Sequence, residues 1–167
     1  MTKSTIRFAG PKDAKQIHSF ICQLASFERE SDAVLVTPEI LAEQLSSDSP
    51  PFECLFIESD EEVLGFALFF HNYSTWRGAK GIHLEDLFIL EKNRGRGLGK
   101  QLLEALAKIA HERRCPRLEW QVLDWNESAI IFYESIGAEI LREWLPCRLE
   151  GDSLNLIASL GITVEEL

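Results

Sequence analysis

The chain has 167 residues, of which 46% are hydrophobic and 26% charged, and its formal net charge is −10. This length and composition are typical of a globular protein with a sizeable core, so we expect a single domain over residues 1–167. The negative charge argues against a nucleic-acid binder, which normally presents a basic face, and is compatible with a small cationic substrate.

The cysteines and the N-terminal segment favour a reducing, cytoplasmic location. Cys22, Cys54, Cys115 and Cys147 are scattered and form no CxxC pair, which is typical of reduced thiols. The opening segment "MTKSTIRFAGPKDAKQ" lacks the apolar core of a signal peptide, and no apolar run approaches the length of a membrane-spanning helix. We therefore expect a cytoplasmic protein without membrane association.

The first half of the chain predicts a strand, two helices and an antiparallel meander. Residues 4–9 alternate like a half-buried strand, and Ile17, Phe20, Ile21 and Leu24 then recur at helical spacing. A short helix is predicted over 37–45, with Thr37 as N-cap and Pro38 in its first turn. Three consecutive strands follow, over residues 52–59, 62–76 and 81–91.

The second half predicts a crossover from strand to helix to strand. Leucines and alanines from Leu98 to Ala110 mark one face of a long helix, which Pro116 ends. Beyond it we predict a strand over 117–125, a helix over 126–137, a last strand over 138–150 and a terminal helix over 152–160. The element order indicates a mixed α/β domain with a parallel crossover.

The segment "RGRGLGKQ", residues 94–101, alternates glycines with cations and predicts an anion-binding loop. A P-loop requires GxxxxGK[ST], but Arg94 stands where its first glycine should be, and Gln101 replaces the hydroxyl residue. The dinucleotide fingerprint GxGxxG also fails, because the spacing here is GxGxG.

Arg94, Gly97 and Gly99 give the pattern R-x-x-G-x-G between a strand and a helix, which resembles the pyrophosphate loop of the GNAT acetyltransferase superfamily. Such a loop presents free backbone N–H groups and the positive end of a helix to an anion, and its glycines allow close approach. The resemblance implies acetyl-CoA as co-substrate, bound along this loop by Arg94, Gly95, Arg96, Gly97, Leu98, Gly99 and Lys100.

Further segments, "LEDLFI", "YSTWRG" and "VLDWNESAIIFYESIGA", resemble the diamine branch of that superfamily, which includes spermidine/spermine and thialysine N-acetyltransferases. The resemblance implies a twisted sheet that splays between its fourth strand (81–90) and its fifth (117–124). Acetyl-CoA then lies in the splay, with its pantetheine arm along Leu87, Phe88 and Ile89 and with Asn126 and Ser128 touching it. The family also forms dimers through C-terminal segments, so we expect a homodimer.

Acetyl transfer to an amine requires removal of an ammonium proton, stabilisation of the oxyanion and a proton for the leaving thiolate. By resemblance, Tyr133 is the general acid and a strand N–H near Leu87 or Phe88 stabilises the oxyanion. Glu85 is the candidate base. Its neighbour is also acidic, but adjacent strand residues point to opposite faces, so we expect only one of the two carboxylates to face the site.

Phe27 and Glu28 match positions that bind substrate in this family, and Trp76 is expected to line the amine channel. The expected acceptor is a small primary amine of the thialysine or diamine type. Ser74 stands where the polyamine enzymes carry an acid, which argues against long polyamines. A peptide acetyltransferase and a non-catalytic acyl-CoA sensor remain alternatives. The segment "HERRC" lacks the second histidine of a zinc site, so no metal is expected.

Overall fold

The computed structural model describes residues 4–60, 62–161 and 164. Two compact units make up the chain, Met1–Gln121 and Val122–Leu167. The first unit contains, in chain order, β1 (Thr5–Phe8), α1 (Ala14–Phe27), α2 (Pro38–Leu45), β2 (Glu53–Ser59), β3 (Glu62–Ser74), β4 (Ala79–Ile89), α3 (Leu98–Glu112) and β5 (Leu118–Glu119). The second unit contains α4 (Glu127–Ser135) and α5 (Gly151–Ala158).

The first unit is built on a five-stranded mixed sheet in the order β1-β2-β3-β4-β5. The first four strands are antiparallel neighbours, whereas β5 pairs in parallel with β4. That parallel pairing covers two positions, Ile82 with Leu118 and His83 with Glu119. Sheet pairing between β4 and β5 therefore stops at His83 in the described residues, where the predicted splay begins.

Helices α1 and α2 pack on one face of the sheet around an aromatic cluster. Phe20 of α1 stacks on Phe66 of β3 at 5.4 Å between ring centroids and meets Phe56 edge to face at 6.0 Å. Leu41 of α2 and Phe88 of β4 belong to the same buried cluster. Because aromatic side chains bury the largest areas, this cluster fixes α1 against the strands that carry the candidate site.

The long helix α3 packs on the face of the sheet opposite to α1. Leu55 lies between Cys54 and Phe56 of the α1 cluster, so it points to the opposite face and lines a groove of about 260 Å³ with Ala105 and Ile109 of α3. Both faces of β2 are covered, which explains why Cys54–Ile57 is a continuous buried run rather than an alternating one.

Several boundaries match the predictions closely. Thr37 caps α2 as expected, since its hydroxyl accepts a hydrogen bond from the Ile40 N–H at 3.3 Å.

Among the described residues, no helix has both the length and the apolar character needed to cross a membrane.

Two predicted strands differ from the structure. The fifth strand, predicted over 117–125, is reduced to Leu118–Glu119, and the segment 138–150 contains no strand. Its apolar residues are exposed, including Leu141, Trp144 and Leu145. Alternating apolar residues create a strand only where another strand supplies backbone hydrogen-bonding partners, and no such pairing forms along this described segment.

Candidate functional site

The loop that follows β4 has the backbone geometry of an anion cradle. Gly95 and Gly97 adopt left-handed φ angles of 73° and 76°, which glycine tolerates best, and α3 begins directly after Gly97. Gly97 has no side chain to cap the first-turn amides of α3. A Cβ atom built on either glycine would meet no atom within 4 Å, so the space over the loop is open.

The cations of the loop differ in their surroundings. Arg96 is exposed, and Lys100 lies 3.8 Å from Glu104 one turn along α3. Arg94 instead folds back toward β4, where its Nε donates to the Ile89 carbonyl at 3.0 Å. The backbone of the loop and the positive end of α3 are thus the features best placed for an anion.

The strand before this loop contains a register shift at the two adjacent carboxylates. Asp86 is opposite Leu68 and Leu84 is opposite Phe69, so the pairing skips Glu85. An extra residue of this kind forms a β-bulge and breaks the alternation of side chains. Asp86 therefore lies on the α1 face of the sheet, together with Leu68. Without the bulge, regular alternation would place Asp86 on the opposite face, together with Leu84.

Glu85 also lies on the α1 side of the sheet. Its carboxylate is 3.6 Å from Nε2 of His83, whose ring packs against Phe70 at 5.0 Å between centroids. Phe70 and Leu68 share that face of β3. The expectation that one of the two carboxylates faces the site is therefore wrong, because the bulge brings both to the same side.

Asp86 is the titratable group that the sequence analysis missed. Burial, and then the negative charges of Glu85 and Glu28, raise the pKa of Asp86 to about 7. Glu28 has a pKa raised by its own burial and by the charge of Glu30. A carboxyl with a pKa near 7 exchanges protons at neutral pH, which suits a general base. The bulge that creates this environment has no sequence marker beyond the paired acids.

The C-terminal end of α1 supplies the other predicted acceptor residues. Phe27 is the last residue of α1 and is partly exposed, and Glu28 follows it as the C-cap. The influence of Glu28 on the pKa of Asp86 places the end of α1 near the β4 carboxylates. The first unit thus brings the end of α1, with Phe27 and Glu28, close to Glu85 and Asp86 on β4, the strand that precedes the glycine loop.

Trp76 lies away from this group. It is 86% exposed in the turn between β3 and β4, beyond the paired residues Ser74 and Ala79. Asp86 lies seven positions after Ala79, which is roughly 23 Å along β4. Ser74 is buried and its hydroxyl accepts from the Arg77 N–H at 3.3 Å, so its side chain stabilises the turn.

The predicted pantetheine-binding residues occupy the last part of β4. Phe88 is buried in the α1 cluster, whereas Leu87 and Ile89 are half-buried. All three lie beyond His83, where the described pairing with β5 ends. Among the described residues, no group of three or more metal-ligating side chains is present.

The second unit carries the remaining predicted site residues on α4. The Asn126 side chain accepts from the Ala129 N–H at 3.3 Å and from the Ser128 hydroxyl at 3.1 Å, so it caps the helix. Tyr133 is 8% exposed, and its ring lies 5.3 Å from that of Phe132. The helix therefore holds Tyr133 in a largely desolvated setting.

Comparison with known proteins agrees with this geometry. A family model described as the acetyltransferase (GNAT) family matches residues 18–138. The chain is similar to the L-ornithine N5-acetyltransferase NATA1 of Arabidopsis thaliana, with 35% identity over 95% of this chain and 90% of that protein. It is also similar to the thialysine N-epsilon-acetyltransferase of Caenorhabditis elegans, with 36% identity over 89% of this chain and 92% of that protein.

A solved structure of an integron cassette protein from the mobile metagenome of V. cholerae is similar throughout, with a TM-score of 0.79 and 28% identity over 95% of this chain and 99% of that one. The predictions of a mixed α/β acetyltransferase fold and of an N-acetyltransferase are confirmed. The mixed sheet, the glycine loop after β4 and the matches in sequence together show that the chain belongs to the GNAT family of acetyltransferases.

Proposed function

We propose that the protein transfers an acetyl group from acetyl-CoA to the primary amine of a small molecule, such as thialysine, ornithine or a short diamine. The observation that carries this proposal is the group of three carboxylates formed by Glu28 at the end of α1 and by Glu85 and Asp86 on β4. Carboxylates attract an amine in its ammonium form, and one of them has a pKa suited to removing its proton. The names of the two relatives, which refer to thialysine and ornithine, support an acceptor of this kind.

The residues around the glycine loop fit acetyl-CoA. The open space over Gly95 and Gly97 and the first-turn amides of α3 suit the pyrophosphate, with Arg96 and Lys100 adding charge nearby. Leu87, Phe88 and Ile89 offer the strand edge for the pantetheine arm, and Asn126 and Ser128 are the proposed contacts on α4. When bound, acetyl-CoA supplies the thioester that reacts.

In the proposed reaction, Asp86 accepts a proton from the acceptor ammonium, directly or through Glu85 and water. The free amine nitrogen then forms a bond to the acetyl carbonyl carbon, and the bond from that carbon to sulfur breaks. Tyr133 donates its phenolic proton to the leaving sulfur. The second proton, which the nitrogen loses as it becomes an amide, reprotonates Tyr133 through the solvent, and Asp86 releases the first proton to the solvent. The products are the acetylated amine and the CoA thiol, with one proton released overall.

The position of Glu28 suggests a short acceptor with a second charged group. Its carboxylate is near enough to raise the pKa of Asp86, so a second ammonium group bound there would have to be close to the reacting one. Ser74, where an acid is expected in polyamine enzymes, is neutral and engaged in a turn. Both features favour amino-acid-like amines and short diamines over long polyamines.

The test is a comparison of kcat/KM for thialysine, ornithine, lysine, putrescine, spermidine and a lysine-containing peptide, measured by release of the CoA thiol. We expect the amino acids or putrescine to exceed spermidine by about 5- to 150-fold, the effect of one desolvated ion contact. Preference for spermidine would contradict the short-amine assignment, and activity on the peptide alone would favour a protein acetyltransferase. CoA binding without thiol release from any amine would favour an acyl-CoA sensor.

We also propose a cytoplasmic homodimer. The segment 139–150 exposes Leu141, Trp144, Leu145 and Leu149, an apolar surface that a second copy of the chain would cover. The four cysteines are free thiols, which supports a reducing compartment. Light scattering should give twice the monomer mass, and Trp144→Asp with Leu145→Asp should reduce it to the monomer value.

A further inference from the structure

Arg94 makes three contacts that tie the glycine loop to the end of α1. Its guanidinium carbon lies 5.0 Å from the ring centroid of Phe27 and 5.5 Å from that of Phe88. Its Nε donates to the Ile89 carbonyl at 3.0 Å. These contacts hold the guanidinium between the last residue of α1 and the end of β4.

We infer that Arg94 is a positioning residue for the amine acceptor and not a ligand of the coenzyme pyrophosphate. This inference rests on the proposed acetyl transfer to an amine. It reassigns a loop cation whose guanidinium lies over two aromatic rings, although Arg94, Arg96 and Lys100 are all exposed as whole residues.

The two rings connect Arg94 to the acceptor carboxylates. Phe27 immediately precedes Glu28, and Phe88 follows Asp86 on the same face of β4. By stacking on both rings, the guanidinium fixes the separation between the end of α1 and the β4 acids. A planar guanidinium can contact two ring faces and a carbonyl at once, which a lysine ammonium does less well.

The contacts also connect the two substrates, because the anion-binding backbone begins at the next residue, Gly95. When CoA orders the loop, it should also stabilise Arg94 between the rings of Phe27 and Phe88. This in turn should stabilise the arrangement of the carboxylates that bind the amine. Such coupling is reciprocal, so CoA should tighten amine binding by the same factor as the amine tightens CoA binding.

The experiment uses the full-length protein with Arg94→Ala, Arg94→Lys and Phe27→Leu. Lys108→Ala serves as the matched control, since it removes one exposed positive charge from the surface of α3. For each protein, KM for the amine and for acetyl-CoA, kcat and the Kd for CoA by calorimetry are measured, and circular dichroism verifies folding.

We expect Arg94→Ala to raise the amine KM about three- to tenfold, as the loss of two partly exposed cation–π contacts predicts, with the Kd for CoA within twofold of wild type. Phe27→Leu should raise the amine KM similarly, and combining it with Arg94→Ala should add little further. Arg94→Lys should leave the amine KM raised, because it keeps the charge but not the planar group.

Two results would overturn the inference while the wild type remains active. One is a tenfold weaker Kd for CoA with an unchanged amine KM in Arg94→Ala, which would make Arg94 a phosphate ligand. The other is full recovery in Arg94→Lys, which would show that charge alone is needed. A wild-type protein inactive on every amine would overturn the proposed function, and this role with it.

Discussion

Replacing Asp86 with asparagine should slow catalysis and stabilise the protein above neutral pH. The carboxyl is held on the α1 face of β4, where burial, Glu85 and Glu28 raise its pKa from 3.8 to about 7. Asparagine has nearly the same shape but carries no charge. The substitution therefore removes the cost of ionising this group without creating a cavity.

The sign of the effect on stability follows from proton binding. Between pH 4 and 7 the folded protein keeps the Asp86 proton while the unfolded chain has released it, so the free energy of unfolding falls as the pH rises. A pKa raised from 3.8 to about 7 corresponds to roughly 2–4 kcal/mol at pH 8, after allowance for partial solvation. Relative to wild type, Asp86→Asn should gain this amount between pH 4 and pH 8.

The assay is urea unfolding of wild type, Asp86→Asn and Glu85→Gln at pH 5, 6, 7 and 8. Glu85→Gln is the comparison variant, because the Glu85 side chain is 57% exposed. At pH 5 its substitution should change the free energy of unfolding by less than about 0.5 kcal/mol, and at higher pH only as far as it lowers the pKa of Asp86. The same pH slope in wild type and Asp86→Asn would refute the raised pKa.

Catalysis should change in the opposite direction. For wild type, kcat/KM should rise with pH through pH 7 as Asp86 loses its proton. Asp86→Asn should lower kcat/KM about 100-fold or more and abolish this rising limb of the pH profile. In Glu85→Gln the limb should move to lower pH, since one of the charges that raises the pKa of Asp86 is gone. A pH limb that survives in Asp86→Asn would assign the base to another group.

Four further substitutions test the rest of the site and the packing of the sheet. Tyr133→Phe should lower kcat about 100-fold with little change in the Kd for CoA, and near-normal turnover would remove Tyr133 from the mechanism. Gly97→Val should raise the KM for acetyl-CoA strongly, because φ is 76° and the side chain would fill the open space over the loop. Arg96→Ala should weaken the binding free energy of acetyl-CoA by only about 1 kcal/mol. A larger loss of binding in Arg96→Ala than in Gly97→Val would show that side-chain charge dominates. Gly81→Ala should lower the thermal midpoint, since its Cβ would lie 2.4 Å from Oδ1 of Asn72; an unchanged midpoint would show that Asn72 moves aside freely.

Much of the architecture could be predicted because it depends on local patterns. The periodicity of α1 and α3, the Thr37 cap and the three strands of the meander are short-range features whose causes lie within one element. The strand at 138–150 was predicted from the same kind of pattern and is absent. A strand requires hydrogen-bonding partners from elsewhere in the fold, which a local pattern cannot supply.

The candidate site likewise has features that the sequence predicts and features that depend on the tertiary structure. The sequence alone predicted the candidate anion-binding loop, since the order of glycines at 95, 97 and 99 before an amphipathic helix requires no long-range contact. Only the tertiary structure decided that Asp86 is the carboxyl with a pKa near 7 and that Arg94 stacks between Phe27 and Phe88. A pKa and a stacking partner depend on burial and on charges far away in the chain. Here the register of β4 against β3 and the packing of α1 on the sheet set both.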